Sequence, residues 1–125
     1  MKIAVTALAT LFLGVAAAYA EEPAKVQKIG DKKVYTDQNG MTLYTFDKDE
    51  AGKSNCDAGC LAKWPAFKAD EGAMAEGDWS VVDASDGTKM WAYKGKPLYT
   101  WVDDKQPGDM SGDGVGGVWH IAVAD

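Results

Sequence analysis

Apolar and polar positions alternate in short runs along most of this chain, and each run ends in turn residues. Lys33-Val34-Tyr35-Thr36 is a β-type run, Asp37-Gln38-Asn39-Gly40 is turn chemistry, and Thr42-Leu43-Tyr44-Thr45-Phe46 follows. Together they predict a hairpin of Val34–Thr36 with Thr42–Phe46, because Asn-Gly readily supplies positive φ between two strands. Met90-Trp91-Ala92-Tyr93, a Lys94-Gly95 turn and Leu98-Tyr99-Thr100-Trp101 repeat the arrangement. Pro97 belongs at an edge or at the first residue of its strand, since it cannot donate to a ladder. Asp78–Val82 reads as a further strand closed by the turn Asp83–Gly87. Val118–Val123 is a last strand, setting Val118, His120 and Ala122 against Trp119, Ile121 and Val123. A single helical segment is expected, Cys56–Trp64, capped by Ser54 or Asn55 and stopped by Pro65. Residues 21–32 lack periodicity and read as an extended leader.

The two hairpins belong to a repeat. Gly40, Leu43, Tyr44, Thr45, Asp49 and Trp64 recur 55 positions later as Gly95, Leu98, Tyr99, Thr100, Asp104 and Trp119, and Phe46 faces Trp101. A fixed-period repeat means that one supersecondary unit is used twice. The expected domain spans 33–125, with repeats at about 33–70 and 88–125. Its expected class is all-β, a small sandwich or barrel with pseudo-two-fold symmetry and one short disulfide-linked helix.

Composition narrows the setting. Lys2, the charge-free apolar run Ile3–Ala18 and Ala18-Tyr19-Ala20 before Glu21 read as a secretory signal peptide over residues 1–20. The expected product is periplasmic or secreted, with no membrane insertion after cleavage. No cysteine stands at the cleavage point, so a lipid anchor is not expected there. Beyond residue 20 there are 19 acids and 12 lysines, a net charge of −7, and no arginine. That balance argues against nucleic acid, whose recognition favours basic patches and guanidinium forks. A partner would be a periplasmic protein or a small ligand.

Several groups invite chemistry. Cys56 and Cys60 are the two cysteines, and an oxidising compartment favours a disulfide between them. The alternative is a thiol–disulfide redox pair, although C-x3-C is not the C-x-x-C of thioredoxin-like enzymes. His120, the single histidine, with a methionine such as Met110 offers soft ligands for copper. Asp109 and Asp113, in a glycine-rich loop with Asp103 and Asp104, offer oxygen ligands for calcium, though without an EF-hand register. The rings of Tyr44, Phe46, Tyr99 and Trp101 lie at i, i+2 spacing, so each pair leaves one strand face. With Trp64 and Trp119 they build a shared core or line a groove for a sugar or aromatic ligand. No nucleophile–base pair is visible, so an enzyme is not expected.

Tyr44-x-Phe46-x-x-Asp49 and Tyr99-x-Trp101-x-x-Asp104 resemble the Y-x-[FWY]-x-x-D motif of a secreted-repeat family of bacterial exported proteins, often described as predicted lipoproteins. The Thr42–Asp47 run, Ser54-x-Cys56-x3-Cys60-x3-Trp64-Pro65 and Gly114–Trp119 agree with its pattern, so the resemblance covers Lys33 to Val123. Two departures stand out: there is no lipobox cysteine, and the second copy carries Ser111 and Val115 where the first has its cysteines. The resemblance implies an exported two-repeat β module and no reaction. On the residues alone, each motif aspartate sits just past its strand, where a carboxylate accepts backbone amides and holds the following loop. The expected function is a non-enzymatic binding or accessory module of unknown ligand; metal handling or electron transfer and a redox protein are the alternatives.

Overall fold

Every strand among the described residues is short, two to five residues, and the sheets they build are joined by single bridges between the repeats. The computed structural model describes residues 22–124, so the signal-peptide expectation over 1–20 lies outside the described residues. In chain order the elements are β1 (Lys25–Ile29), β2 (Lys32–Thr36), β3 (Tyr44–Phe46), α1 (Ala58–Lys63), β4 (Trp79–Asp83), β5 (Lys89–Tyr93), β6 (Lys96–Pro97) and β7 (Trp119–Ile121), with a 3-10 turn at Val115–Gly117 before β7. The strands form three small antiparallel sheets, β1-β2, β3-β7 and β4-β5-β6. The all-β class with one short helix is therefore what the chain adopts.

Single bridges stitch these sheets together with two-fold regularity. Tyr44 and Tyr99 bridge each other, exchanging N–H···O bonds of 2.8 and 3.0 Å on the pseudo-axis. Tyr44 also faces Ile121 in β7, and Tyr99 faces Ala66, its counterpart 55 residues earlier. Leu43, Tyr35 and Ala122 form a closed triangle of backbone bonds: Leu43 N to Tyr35 O, Tyr35 N to Ala122 O, and Ala122 N to Leu43 O. Leu98, Trp91 and Phe67 form the matching triangle in the other half. In each triangle the third corner comes from the closing segment of the other repeat, Ala122 just past β7 and Phe67 past α1. The β3-β7 sheet and these bridges join the two repeats.

Three expectations need correction. The 21–32 segment is not a featureless leader, since β1 pairs with β2 from Lys25↔Thr36 to Ile29↔Lys32. Its residues stay exposed or half-buried, so neither face needed an apolar stripe; lysines on such an edge oppose sheet-to-sheet pairing. The first hairpin is tied only at its turn end, by the Thr36–Thr42 bridge, because Tyr44 then leaves for Tyr99 and Ile121. Within that turn Gly40 takes positive φ (88°), while the Asp37 carboxylate accepts from the amides of Asn39 and Met41. The helix starts at Ala58, and its cap is Asp57, whose carboxylate accepts from Cys60 N at 2.9 Å. Ser54 lies three residues before that cap, and its hydroxyl oxygen accepts from Cys56 N at 3.4 Å, ahead of the helix. The second turn is as expected: Lys94 (φ 51°) and Gly95 (φ 84°) close the β5–β6 hairpin.

Alternation along the paired strands produces two cores. On one side lie Val34, Tyr44, Trp64, Met90, Tyr99, Trp119 and Ile121; on the other, Tyr35, Leu43, Trp79, Leu98 and Ala122. Leu43 and Leu98 are fully buried, each worth about 1.5–3 kcal/mol of transfer free energy. The first core is packed so closely that Gly112 has no room for a side chain. A Cβ there would lie 2.8 Å from Trp64, 3.0 Å from Tyr44 and 3.1 Å from Trp101. Gly112→Ala is expected to cost about 1–3 kcal/mol by overpacking, read as a lower urea midpoint at unchanged m-value. A variant as stable as the parent would mean that these rings are free to move.

Candidate functional site

The repeated motif assembles around the pseudo-axis. Four rings stack in the order Phe46, Trp119, Trp64, Trp101, with centroid spacings of 4.2, 3.7 and 4.0 Å. The central pair, Trp64 and Trp119, is parallel to within 3°. The stack alternates between repeats at every symmetric step, since Phe46 covers the second repeat's tryptophan and Trp101 covers the first's. Tyr44 meets the edge of Trp64, and Tyr99 meets the edge of Trp119, at 5.3 and 5.2 Å.

The tyrosine hydroxyls cross over in the same way. Tyr44 donates to Asp104 Oδ2 and Tyr99 donates to Asp49 Oδ2, both at 2.6 Å. The other oxygen of each aspartate holds its own loop: Asp49 Oδ1 accepts from Asn55 N (2.6 Å) and Asp104 Oδ1 from Ser111 N (3.0 Å). Each phenol oxygen also accepts a bond, from Gly112 N at 3.1 Å for Tyr44 and from the Ser54 hydroxyl at 2.6 Å for Tyr99. Since Tyr99 spends its proton on Asp49, Ser54 must be the donor in that pair. The motif is a mutual lock, in which each repeat's tyrosine is satisfied by the other repeat's aspartate. Among the described residues no buried side-chain nitrogen or oxygen lacks a partner.

Burial is the main cause that raises both phenols above the ordinary value of 10.0, and the hydrogen-bonded carboxylate adds to it. Burial likewise raises the Asp49 carboxyl, against the opposing pull of the Tyr99 hydroxyl and the Asn55 amide.

The other candidate residues do not meet as a site. Cys56 and Cys60 form a disulfide, with Cys56 fully buried in the motif core. His120 lies exposed on β7, and its Nε2 contacts Asp47 Oδ2 at 2.8 Å. Met110 packs against the motif core. Asp109 Oδ2 accepts from the amides of Lys105 and Gln106, and Asp113 Oδ1 accepts from Ile121 N. Among the described residues, no three His, Cys, Asp or Glu side chains are grouped to hold a metal ion.

A second constellation lies apart from the lock. A cavity of about 590 Å³ is walled by Tyr35, Trp79, Trp91 and Tyr93, with Glu22, Asp70, Glu76 and Asp78 also lining it. Its rings meet at steep angles: Tyr35 and Trp79 at 82°, Trp79 and Trp91 at 87°. Sequence reasoning placed these aromatics on strands but did not join them. Tyr35 and Trp79 are 44 positions apart, and only side-chain packing in the second core brings them together. The one available signal was the excess of aromatics on Trp79–Tyr93 beyond what the repeat accounts for.

An all-strand module of two interlocked copies, with one disulfide-bonded helical turn, is the class of protein that this fold defines. A family model described as a secreted repeat of unknown function matches residues 25–68 and 80–123, two copies again 55 apart. The chain belongs to that family. The first copy thus begins at β1, earlier than the apolar pattern suggested. No curated protein and no solved structure matches the chain. Among the described residues no helix is long and apolar enough to cross a membrane.

Two measurements test the lock. Asp104→Ala and Asp49→Ala each strand a buried tyrosine hydroxyl and release a loop amide, so each should cost about 2–3 kcal/mol. Asp104, only 7% exposed, should cost more than the half-buried Asp49. Cycles with Tyr44→Phe and Tyr99→Phe should show coupling for Tyr44–Asp104 and Tyr99–Asp49, and none for the within-repeat pairs. For pH, the folded protein retains two phenolic protons that the unfolded chain releases near pH 10. Their contribution to stability is complete below about pH 10 and is lost as pH rises beyond it. Melting temperature should fall steeply above that point, and Tyr44→Phe/Tyr99→Phe should flatten the fall. An unchanged slope would refute the linkage.

Proposed function

We propose that this protein is a non-enzymatic binding module of the periplasm, and that its ligand is a small molecule held in the aromatic–acidic cavity. The observation that carries this reading is the division between the two constellations. The motif's polar groups are consumed in holding the repeats together, with ring faces covered by one another and hydroxyls paired within the fold. The cavity has the opposite character. Its volume falls within the few hundred to a thousand Å³ typical of small-molecule sites, with aromatic walls and a few polar groups converging on it. The family's description as secreted supports action outside the cytoplasm. The full burial of Cys56 within the motif core supports a structural role for the disulfide.

The test is an indole-resolved NMR screen of the full mature chain against a panel of small metabolites, neutral, cationic and anionic. Binders should shift the side-chain signals of Trp79 and Trp91 while leaving those of Trp64 and Trp119 in place. If binders instead move Trp64 and Trp119, the motif is the site. A panel without a binder removes the small-molecule reading altogether.

A further inference from the structure

The chemistry of the cavity wall points to the class of ligand, and this inference rests on the cavity being the binding site. We infer that the cavity takes an organic cation, a compact ammonium or quaternary ammonium group, seated against the ring faces of Trp91 and Tyr93 with Glu76 and Asp78 beside it.

Ring geometry is the first argument. In the motif stack the rings lie face to face, down to 3° and 3.7 Å, so the inner faces are covered. In the cavity the rings meet edge to face or tilted: 87° for Trp79–Trp91, 59° for Tyr35–Tyr93 and 46° for Trp79–Tyr93. Tyr35, Trp79 and Tyr93 touch one another at 4.7–5.2 Å and form a packed aromatic floor. Trp91 and Tyr93, two positions apart on one face of β5, leave ring surface for a cation–π contact. Tyr35 and Trp79 are each only 5% exposed and form the back of the cavity. Trp91 and Tyr93 are half-buried and offer the accessible surface.

Charge is the second argument. Four carboxylates line the cavity, and among the described residues no lysine does. An anion would face repulsion from these carboxylates. A neutral ligand would gain from the rings but not from the acids. A cation gains from both. The third argument is that one of these rings already attracts an ammonium: Lys94 Nζ sits 5.4 Å from the Tyr93 centroid, and Lys94 is not among the residues lining the cavity.

The decisive experiment titrates the full mature chain with choline and with its uncharged isostere 3,3-dimethylbutan-1-ol, following tryptophan fluorescence and the Trp91 indole signal. Choline should bind more tightly by about three- to thirtyfold. Trp91→Leu, which removes the reporter, is read by calorimetry and should abolish choline binding. Glu76→Gln/Asp78→Asn, confined to exposed side chains, should weaken choline by about three- to tenfold while leaving the melting temperature and the isostere unaffected. Equal or tighter binding of the isostere, or of a neutral sugar, at Trp91 would overturn the cation assignment and leave the cavity standing as a binding site. Failure of choline, isostere and sugar alike to move Trp91 would overturn both.

Discussion

A buried tyrosine hydroxyl needs an acceptor, and in this protein the acceptor for each motif tyrosine lies in the other repeat. Tyr44 reaches Asp104 and Tyr99 reaches Asp49, at the same distance. Leaving either hydroxyl unpaired in a fully buried core carries the whole cost of its desolvation, which is a large share of a small domain's stability. The two copies are thus bound into one cooperative unit by a polar requirement as well as by apolar area. The Phe46–Trp119–Trp64–Trp101 stack and the crossed strands work in the same direction, because each step of them alternates between repeats.

This lock also explains why the loops after β3 and after Trp101 are ordered despite being acidic and rich in glycine. Asp49 and Asp104 each use one oxygen for the far tyrosine and one for an amide of their own loop. The loop residues then complete the site from above, Ser54 on one side and the Gly112 amide on the other. The two solutions differ in detail while meeting one demand, a second hydrogen bond to the phenol oxygen. The first loop is further held by the Cys56–Cys60 disulfide, where the second places Val115 against the same core.

Away from the axis the copies diverge, and that is where the protein has room for a function of its own. Trp79 stands where the first repeat has Ala24, 55 residues earlier, so one half carries a large ring where the other carries a methyl group. The difference creates an aromatic cluster with a cavity on one side of the molecule. Symmetric elements are held to a common geometry by their partners. The asymmetric ones are free of that constraint.

Much of this was legible in the chain. The 55-residue period, the strand-rich class, the cysteine pairing and the turns at Asp37–Gly40 and Lys94–Gly95 all follow from local chemistry and spacing. So does the holding of loop amides by the two aspartates, although the amides they hold, those of Asn55 and Ser111, lie six and seven residues on, beyond the reach of an Asx-turn. What could not be read is every relation across the axis. Nothing in the spacing of Tyr44 and Asp49 says that the tyrosine's partner is Asp104, or that β3 will leave its hairpin for β7. Nor does local pattern reveal β1, which buries no face, or the meeting of Tyr35 with Trp79. The sequence determined by itself that one unit occurs twice and which residues carry its chemistry. Only the tertiary structure decided that the two units exchange strands, rings and hydrogen bonds, because those pairings join groups dozens of positions apart and are selected by the burial of both partners together.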